Sequence, residues 1–136
     1  MIDGIEHIAI AVESLEESSI FYRDSLKLEY EGTEEVPEQK VRVAFFRAGS
    51  SRIELLEPMS QDSPISKFLK TRGPGIHHIA FATSKLQDRL DELKSGGIRL
   101  IDEVAKTGAE GKEIAFLHPK ATGGVLLELC SEGEKP

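Results

Sequence analysis

Cysteine is nearly absent: Cys130 is the single one, so no disulfide closes within the chain, and a reducing compartment is expected. Long apolar runs are missing as well. No segment approaches the ~20 residues that span a bilayer, which excludes a helical membrane protein. Nothing resembling a secretory leader opens the chain, because Met1 is followed at once by Asp3 and a strand pattern, so the expected location is cytoplasmic. Basic excess is also lacking. With 17 Lys and Arg against 24 Asp and Glu, the net charge is -7, and such a surface repels phosphate backbones. Nucleic acid and membranes are therefore not expected as partners, and an anionic ligand would need a local basic pocket. A chain of 136 residues buries roughly two-thirds of its unfolded surface, so it needs no staple to fold as one domain, or as two fused half-domains sharing a core.

What the sequence does have is a repeat. EHIAIAV at 6–12 and HHIAFAT at 77–83 each place a histidine, His7 or His78, before alternating apolar residues of period two, the pattern of a half-buried strand. RIELLE at 52–57 and LLELCSE at 126–132 each set one glutamate, Glu54 or Glu128, inside an apolar strand. The histidines lie 71 positions apart and the glutamates 74, the mark of an internal duplication.

In chain order the first module, about 1–58, reads as a strand from Gly4 to Val12, then a helix from about Leu15 to Leu26. Ser14 and Glu17 form its expected capping box, and Leu15, Ser19, Tyr22 and Leu26 its buried stripe. Strands follow at Leu28–Thr33, Val41–Ala48 and Arg52–Glu57. A linker, about 59–74, carries a short helix with Ser63 as cap, Pro64 in its first turn, and Ile65, Phe68 and Leu69 on one side. The second module, about 75–136, repeats the order. Its strand is Ile76–Thr83 and its helix about Lys85–Ser95, capped by Ser84 with Gln87 and stopped at Gly96 and Gly97. Strands near Leu100–Val104, at Glu113–His118 and at Gly124–Ser131 complete it, with a hairpin turn expected at Lys106–Gly111 and a frayed GEKP tail. The class is α+β, in two tandem βαβββ modules.

Strand parity carries the chemistry. If Ile8, Ile10 and Val12 face the helices, His7, Ala9 and Ala11 face the other way, as do His78, Ala80 and Ala82. Glu54 and Glu128 point opposite to their apolar neighbours. Two such sheets folded towards each other bring two imidazoles and two carboxylates into one space lined by alanines. That donor set suits a divalent ion such as Co, Mn, Ni, Zn or Fe, and Mg less well. Taken singly, a histidine opening a strand is usually an ordinary half-buried residue. A buried glutamate needs a partner, which a lysine or arginine supplies as well as a metal. Recurrence of all four in step favours the metal. His77 and His118 have no counterparts in the other half and stay outside the set.

The motifs EHIAIAV, VPEQKVRVAF, IELLEP, DSPISKFLKTRGPGIHHIAF and IAFLHPKATGGVLLEL resemble the vicinal oxygen chelate (glyoxalase I-like) superfamily, and within it the methylmalonyl-CoA epimerase family. The linker and the HPK-x-x-x-GVLLEL ending favour that family over its relatives. The resemblance implies an open, cup-shaped sheet around a divalent metal, with His7, Glu54, His78 and Glu128 as ligands. It implies interconversion of (2R)- and (2S)-methylmalonyl-CoA by proton transfer at C2 through a metal-stabilised enolate. Glu128 matches the family's proton-handling glutamate. The position where some members carry a second glutamate is Val43 here, which leaves the opposite face to Glu54, a water or a linker residue, with Glu54 first because the duplication sets it across the cup from Glu128. Lys120 is the candidate for the substrate carboxylate or a phosphate, with Arg47, Arg52 and Lys112 as possible helpers. A homodimer is expected. Glyoxalase I uses a similar His, Glu, His, Glu set and is the alternative, with a metal-free binding protein of the same superfamily as the non-enzymatic reading; a ring-cleaving dioxygenase usually uses three ligands.

Overall fold

The computed structural model describes residues 2–132; the expectation for the GEKP tail lies outside them. The chain divides into two compact units, one of His7–His77 and the other of Met1–Glu6 with His78–Pro136. Among the described residues, no helix is long and apolar enough to cross a membrane.

The first unit takes up β1 (Ile2–Ala11) from His7 onward, α1 (Leu15–Ile20), β2 (Glu29–Val36), β3 (Val41–Ala48), β4 (Ser51–Pro58) and α2 (Pro64–Arg72). Its strands hydrogen-bond in the order β2-β3-β4-β1, antiparallel except for the parallel pair of β1 and β4. Val12, Leu15, Ala44, Phe46 and Leu55 form the core between this sheet and α1, with Ile10, Tyr22, Leu28 and Ile53 packed around them. Ser14 caps α1 as expected, its hydroxyl accepting from Glu17 N–H at 3.2 Å. Glu57 anchors the same helix end by accepting the Leu15 N–H at 2.7 Å.

The expected stripe fails at its last member, because Leu26 is exposed. From Phe21 to Ser25 the helix widens into a π-turn, in which Leu26 N–H donates to Phe21 C=O five residues back. The wider turn breaks the 3.6 period and rotates Leu26 off the buried face, leaving Leu28 to pack on the core. In α2, Ser63 caps through Ile65 N–H at 3.2 Å, Ile65 is buried, and Gly73 ends the helix at φ 76.

The second unit holds β5 (Gly75–Thr83) from His78 onward, α3 (Leu86–Ser95), β6 (Lys106–Thr107), β7 (Glu113–Leu117) and β8 (Leu127–Ser131), with the first residues of β1. Strand order is β5-β8-β7-β6, with β5 and β8 parallel and the rest antiparallel. The βαβββ order of the first module is thus repeated, and the α+β class stands. Leu86, Leu90, Ala115, Leu117 and Leu129 make this core.

Two expectations need correction here. Ser84 does not cap α3; the cap position is Lys85, left-handed at φ 53, and no side chain bonds there. Gln87 instead reaches the 103–105 segment, its Oε1 accepting from Ala105 N–H and its Nε2 donating to Glu103 C=O, both at 3.0 Å. The strand placed at Leu100–Val104 is not formed: only Leu100 bridges to Leu117. Asp102 accepts the Phe116 N–H at 2.8 Å through its carboxylate, so a side chain takes the donor that a neighbouring strand would use. Pairing resumes two residues beyond the expected strand, where Lys106 and Thr107 face Ile114 and Glu113. The Lys106–Gly111 segment therefore opens a hairpin. A Cβ at its Gly108 would lie 2.8 Å from Ile114 Cδ1, so a larger residue there would press on the buried Ile114 side chain.

His77, the last residue of the first unit, sets its ring edge-on to Phe68 of α2 at 5.0 Å. Burial, aided by the Arg72 guanidinium, pushes its pKa down from 6.5 to about 4. The unfolded chain therefore takes up a proton that the folded chain refuses across that window, and stability drops as pH falls through it. His77→Phe keeps a ring against Phe68 and removes the titration. Its urea midpoint should fall less between about pH 7 and about pH 4.5 than that of the parent chain; equal falls contradict this account. Leu90 is fully buried, and Leu90→Ala should cost about 2–5 kcal/mol in equilibrium unfolding.

Candidate metal and proton-transfer site

In the first unit, the parallel register of β1 and β4 puts Ala9 beside Glu54 and His7 beside Arg52. On the other side of β4, Phe45 stands opposite Glu54. The alternation turns Ile53 and Leu55 to the α1 core and sends Glu54 to the opposite face, where it is buried at 5% exposure. His7 Nδ1 lies 3.0 Å from Glu54 Oε2, and Arg52 Nη2 lies 3.5 Å from the same oxygen. The Arg52 guanidinium also sits 3.9 Å from Glu31 and over the Phe45 ring, 4.6 Å from its centroid. Burial of a carboxylate is costly unless a cation or donors face it, and Arg52 with His7 meets that need.

The second unit repeats the arrangement in register. Ala80 stands beside Glu128 in the parallel pair of β5 and β8, and Phe116 lies opposite Glu128 on β7. His78, two residues before Ala80 as His7 is before Ala9, places Nε2 3.6 Å from Glu128 Oε1. Its ring meets Phe116 edge-on at 5.2 Å. Both residues are buried, at 5% and 3% exposure. The expected parity holds, with Ala9 and Ala80 fully buried between each imidazole and its carboxylate strand.

Each module thus brings one expected imidazole and one expected carboxylate together. The donors fit a divalent ion in kind, being nitrogen and oxygen without thiolate. The first pair fits in spacing too. Two ligand atoms each ~2.1 Å from one ion and at right angles are ~3.0 Å apart, which the first pair matches at 3.0 Å and the second exceeds at 3.6 Å.

The other sequence candidates are placed differently. Lys120 is exposed in the turn Pro119–Ala121, where its own N–H donates to His118 Nδ1 at 3.1 Å. Arg47 binds Glu31 through two contacts, 3.1 and 3.2 Å. Lys112 lies 3.3 Å from Glu6, 3.7 Å from Glu110 and 3.6 Å from Glu132, which ties the β6–β7 hairpin to the start of β1. Val43, buried at 2% exposure, shares the Glu54 face one alternation from Phe45 and offers no proton-carrying group. His77 and His118 stay outside both pairs: His77 has the opposite parity from His78, and His118 has no counterpart histidine in the first module.

The residue that sequence reasoning undervalued is Arg52, ranked as a possible substrate contact and found buried against Glu54. The signal was present in the spacing. Residues 52 and 54 share a strand face, and the position equivalent to 52 in the second module is Leu126.

Residues 6–116 match the family model described as Glyoxalase/Bleomycin resistance protein/Dioxygenase superfamily. The mitochondrial methylmalonyl-CoA epimerase of Mus musculus is 42% identical over 126 residues, spanning 92% of this chain and 71% of that protein. The ethylmalonyl-CoA/methylmalonyl-CoA epimerase of Cereibacter sphaeroides is 40% identical over 131 residues, 95% of this chain and 98% of that protein. Among solved structures, a methylmalonyl-CoA epimerase in complex with methylmalonyl-CoA and NH4+ superposes with a TM-score of 0.93 at 36% identity, covering 100% of both chains. The chain belongs to the glyoxalase/bleomycin resistance protein/dioxygenase superfamily and, within it, to the methylmalonyl-CoA epimerase family.

Proposed function

We propose that the chain interconverts (2R)- and (2S)-methylmalonyl-CoA by moving a proton at C2. The observation that carries this reading is the repeated register, Ala9 beside Glu54 and Ala80 beside Glu128, each with a histidine two residues upstream. It rests also on the likeness to relatives named for that reaction. His7, Glu54, His78 and Glu128 would hold the divalent ion, with cobalt first among Co, Mn, Ni, Zn and Fe. When bound, such an ion supplies Lewis acidity where negative charge develops on the thioester oxygen.

The chain's own residues do the rest. Inversion requires a proton to leave one face of C2 and a proton to arrive at the other, so two carriers are needed. Glu128 takes the first role, because it matches the glutamate that handles the proton in the family and lies beside His78 in the second module. Glu54 serves the opposite face. The two alanines and the phenylalanines opposite the glutamates supply apolar walls, which strengthen electrostatic interactions with a reacting group. Lys120, at the end of β7, is the assigned contact for the substrate carboxylate or a phosphate. The same reading takes the protein as a cytoplasmic homodimer.

Exchange of the C2 hydrogen with deuterated solvent tests the assignment. Glu128→Ala should lose exchange by at least about a hundredfold, the scale of one general base, while still binding methylmalonyl-CoA in calorimetry; retained exchange removes Glu128 from proton transfer. Glu54→Gln keeps a ligating oxygen and should allow exchange of one epimer without inversion. Inversion at the parent rate would remove Glu54 as the second carrier. Chelator-treated protein should lose epimerisation and regain it on reloading with Co(II), and a panel with ethylmalonyl-CoA and a glutathione hemithioacetal separates this reading from glyoxalase I chemistry.

A further inference from the structure

We infer that Arg52 is a positioning residue, the tether that holds the Glu54 carboxylate in its ligating orientation. The inference rests on the metal reading above. Three contacts commit the guanidinium to this place: Glu54 Oε2 at 3.5 Å, Glu31 Oε1 at 3.9 Å, and the Phe45 ring at 4.6 Å from its centroid. The side chain is buried, at 6% exposure, so it is not reaching for solvent. Phe45 is the residue paired with Glu54 across β3 and β4, so the ring that shelves the guanidinium is set by the same register that sets the carboxylate.

A second layer holds the first. Glu31 stands at the irregularity between Tyr30 and Gly32 in β2, and it binds Arg47 at 3.1 Å as well as facing Arg52. Arg47 in turn is paired with both Glu29 and Arg52 in the strand register. The chain Arg47, Glu31, Arg52, Glu54, His7 alternates in charge and ends on an imidazole. Planar guanidinium groups suit this task, because their donors lie in a fixed fork and stack on rings while facing carboxylates.

The duplicated half shows what the arginine adds. Leu126 stands at the position of Arg52, and His118 at the position of Arg47, so the two arginines of this alternating chain have no arginine counterparts in the second module. The scaffold of strands places a carboxylate in both halves; only in the first is that carboxylate tied by a cation on its own strand. Orienting partners of this kind hold ligands in place and are worth ten- to a hundredfold in metal affinity or activity.

Absorption of the Co(II)-loaded protein tests the tether without recourse to turnover. Parent protein should show the weak d–d bands of a high-coordinate ion. Arg52→Leu, which installs the residue of the equivalent position, lets Glu54 turn away; the ion then loses a ligand and its visible absorptivity should rise at least threefold. Arg52→Gln deletes the charge with most of the volume kept and should shift in the same direction, which decides the matter if Arg52→Leu fails to melt cooperatively. Arg52→Lys should restore the parent bands. Bands unchanged in the folded charge-deleting variants overturn the inference while the metal reading stands. Parent protein that takes up no Co(II) overturns the metal reading, and the inference with it.

Discussion

A carboxylate buried beside an imidazole, in a parallel pair of strands, is the constraint on which each module depends. Glu54 and Glu128 sit in strands whose other face is the hydrophobic core, so a slip of one residue would drive each charge into that core and expose its leucines. The register is therefore defended from both sides: by apolar burial on the helix face, and by the need of each carboxylate for a partner on the other. Helices α1 and α3 contribute by covering the leucine face. Their role in the chemistry is to make the strand register unambiguous.

That logic also explains what could be read from the sequence. Period-two alternation around His7 and His78 locates β1 and β5, and the repeat in spacing aligns Glu54 with Glu128. Val41–Ala48 was placed to the residue, because apolar alternation and the Gly49–Ser51 turn bound it closely. The errors share a cause. Local pattern puts Leu26 on a buried stripe that a π-turn rotates away, and it treats Ser84, Gln87 and Asp102 by their neighbours although the two longer side chains bond backbone 14 to 18 residues distant. Capping and strand templates are local. A side chain that satisfies a remote backbone donor changes the outcome without leaving a signature in its own neighbourhood.

The candidate site was legible in composition and less so in electrostatics. Parity told which residues share a face, and so which imidazole and carboxylate meet. It did not rank the cations. Arg47, Arg52 and Lys112 look alike in sequence as helpers for an anionic ligand, yet the structure binds each to acidic side chains of this chain. An excess of carboxylates over cations makes that outcome natural, since most cations in such a chain find an internal partner.

Duplication provides two equal scaffolds, but inversion at a carbon centre asks for two groups that are distinguishable. An opposite charge at about 4 Å attracts a carboxylate by about 4 kcal/mol at an effective dielectric of about 20, before the cost of desolvating the pair is counted. One arginine placed two residues before Glu54, and a leucine placed two residues before Glu128, therefore give like carboxylates unlike electrostatic settings without altering the strands that carry them. Divergence at two facing positions, Arg52 against Leu126 and Arg47 against His118, distinguishes the two halves of the repeat while the backbone register that brings each histidine to its glutamate is left untouched.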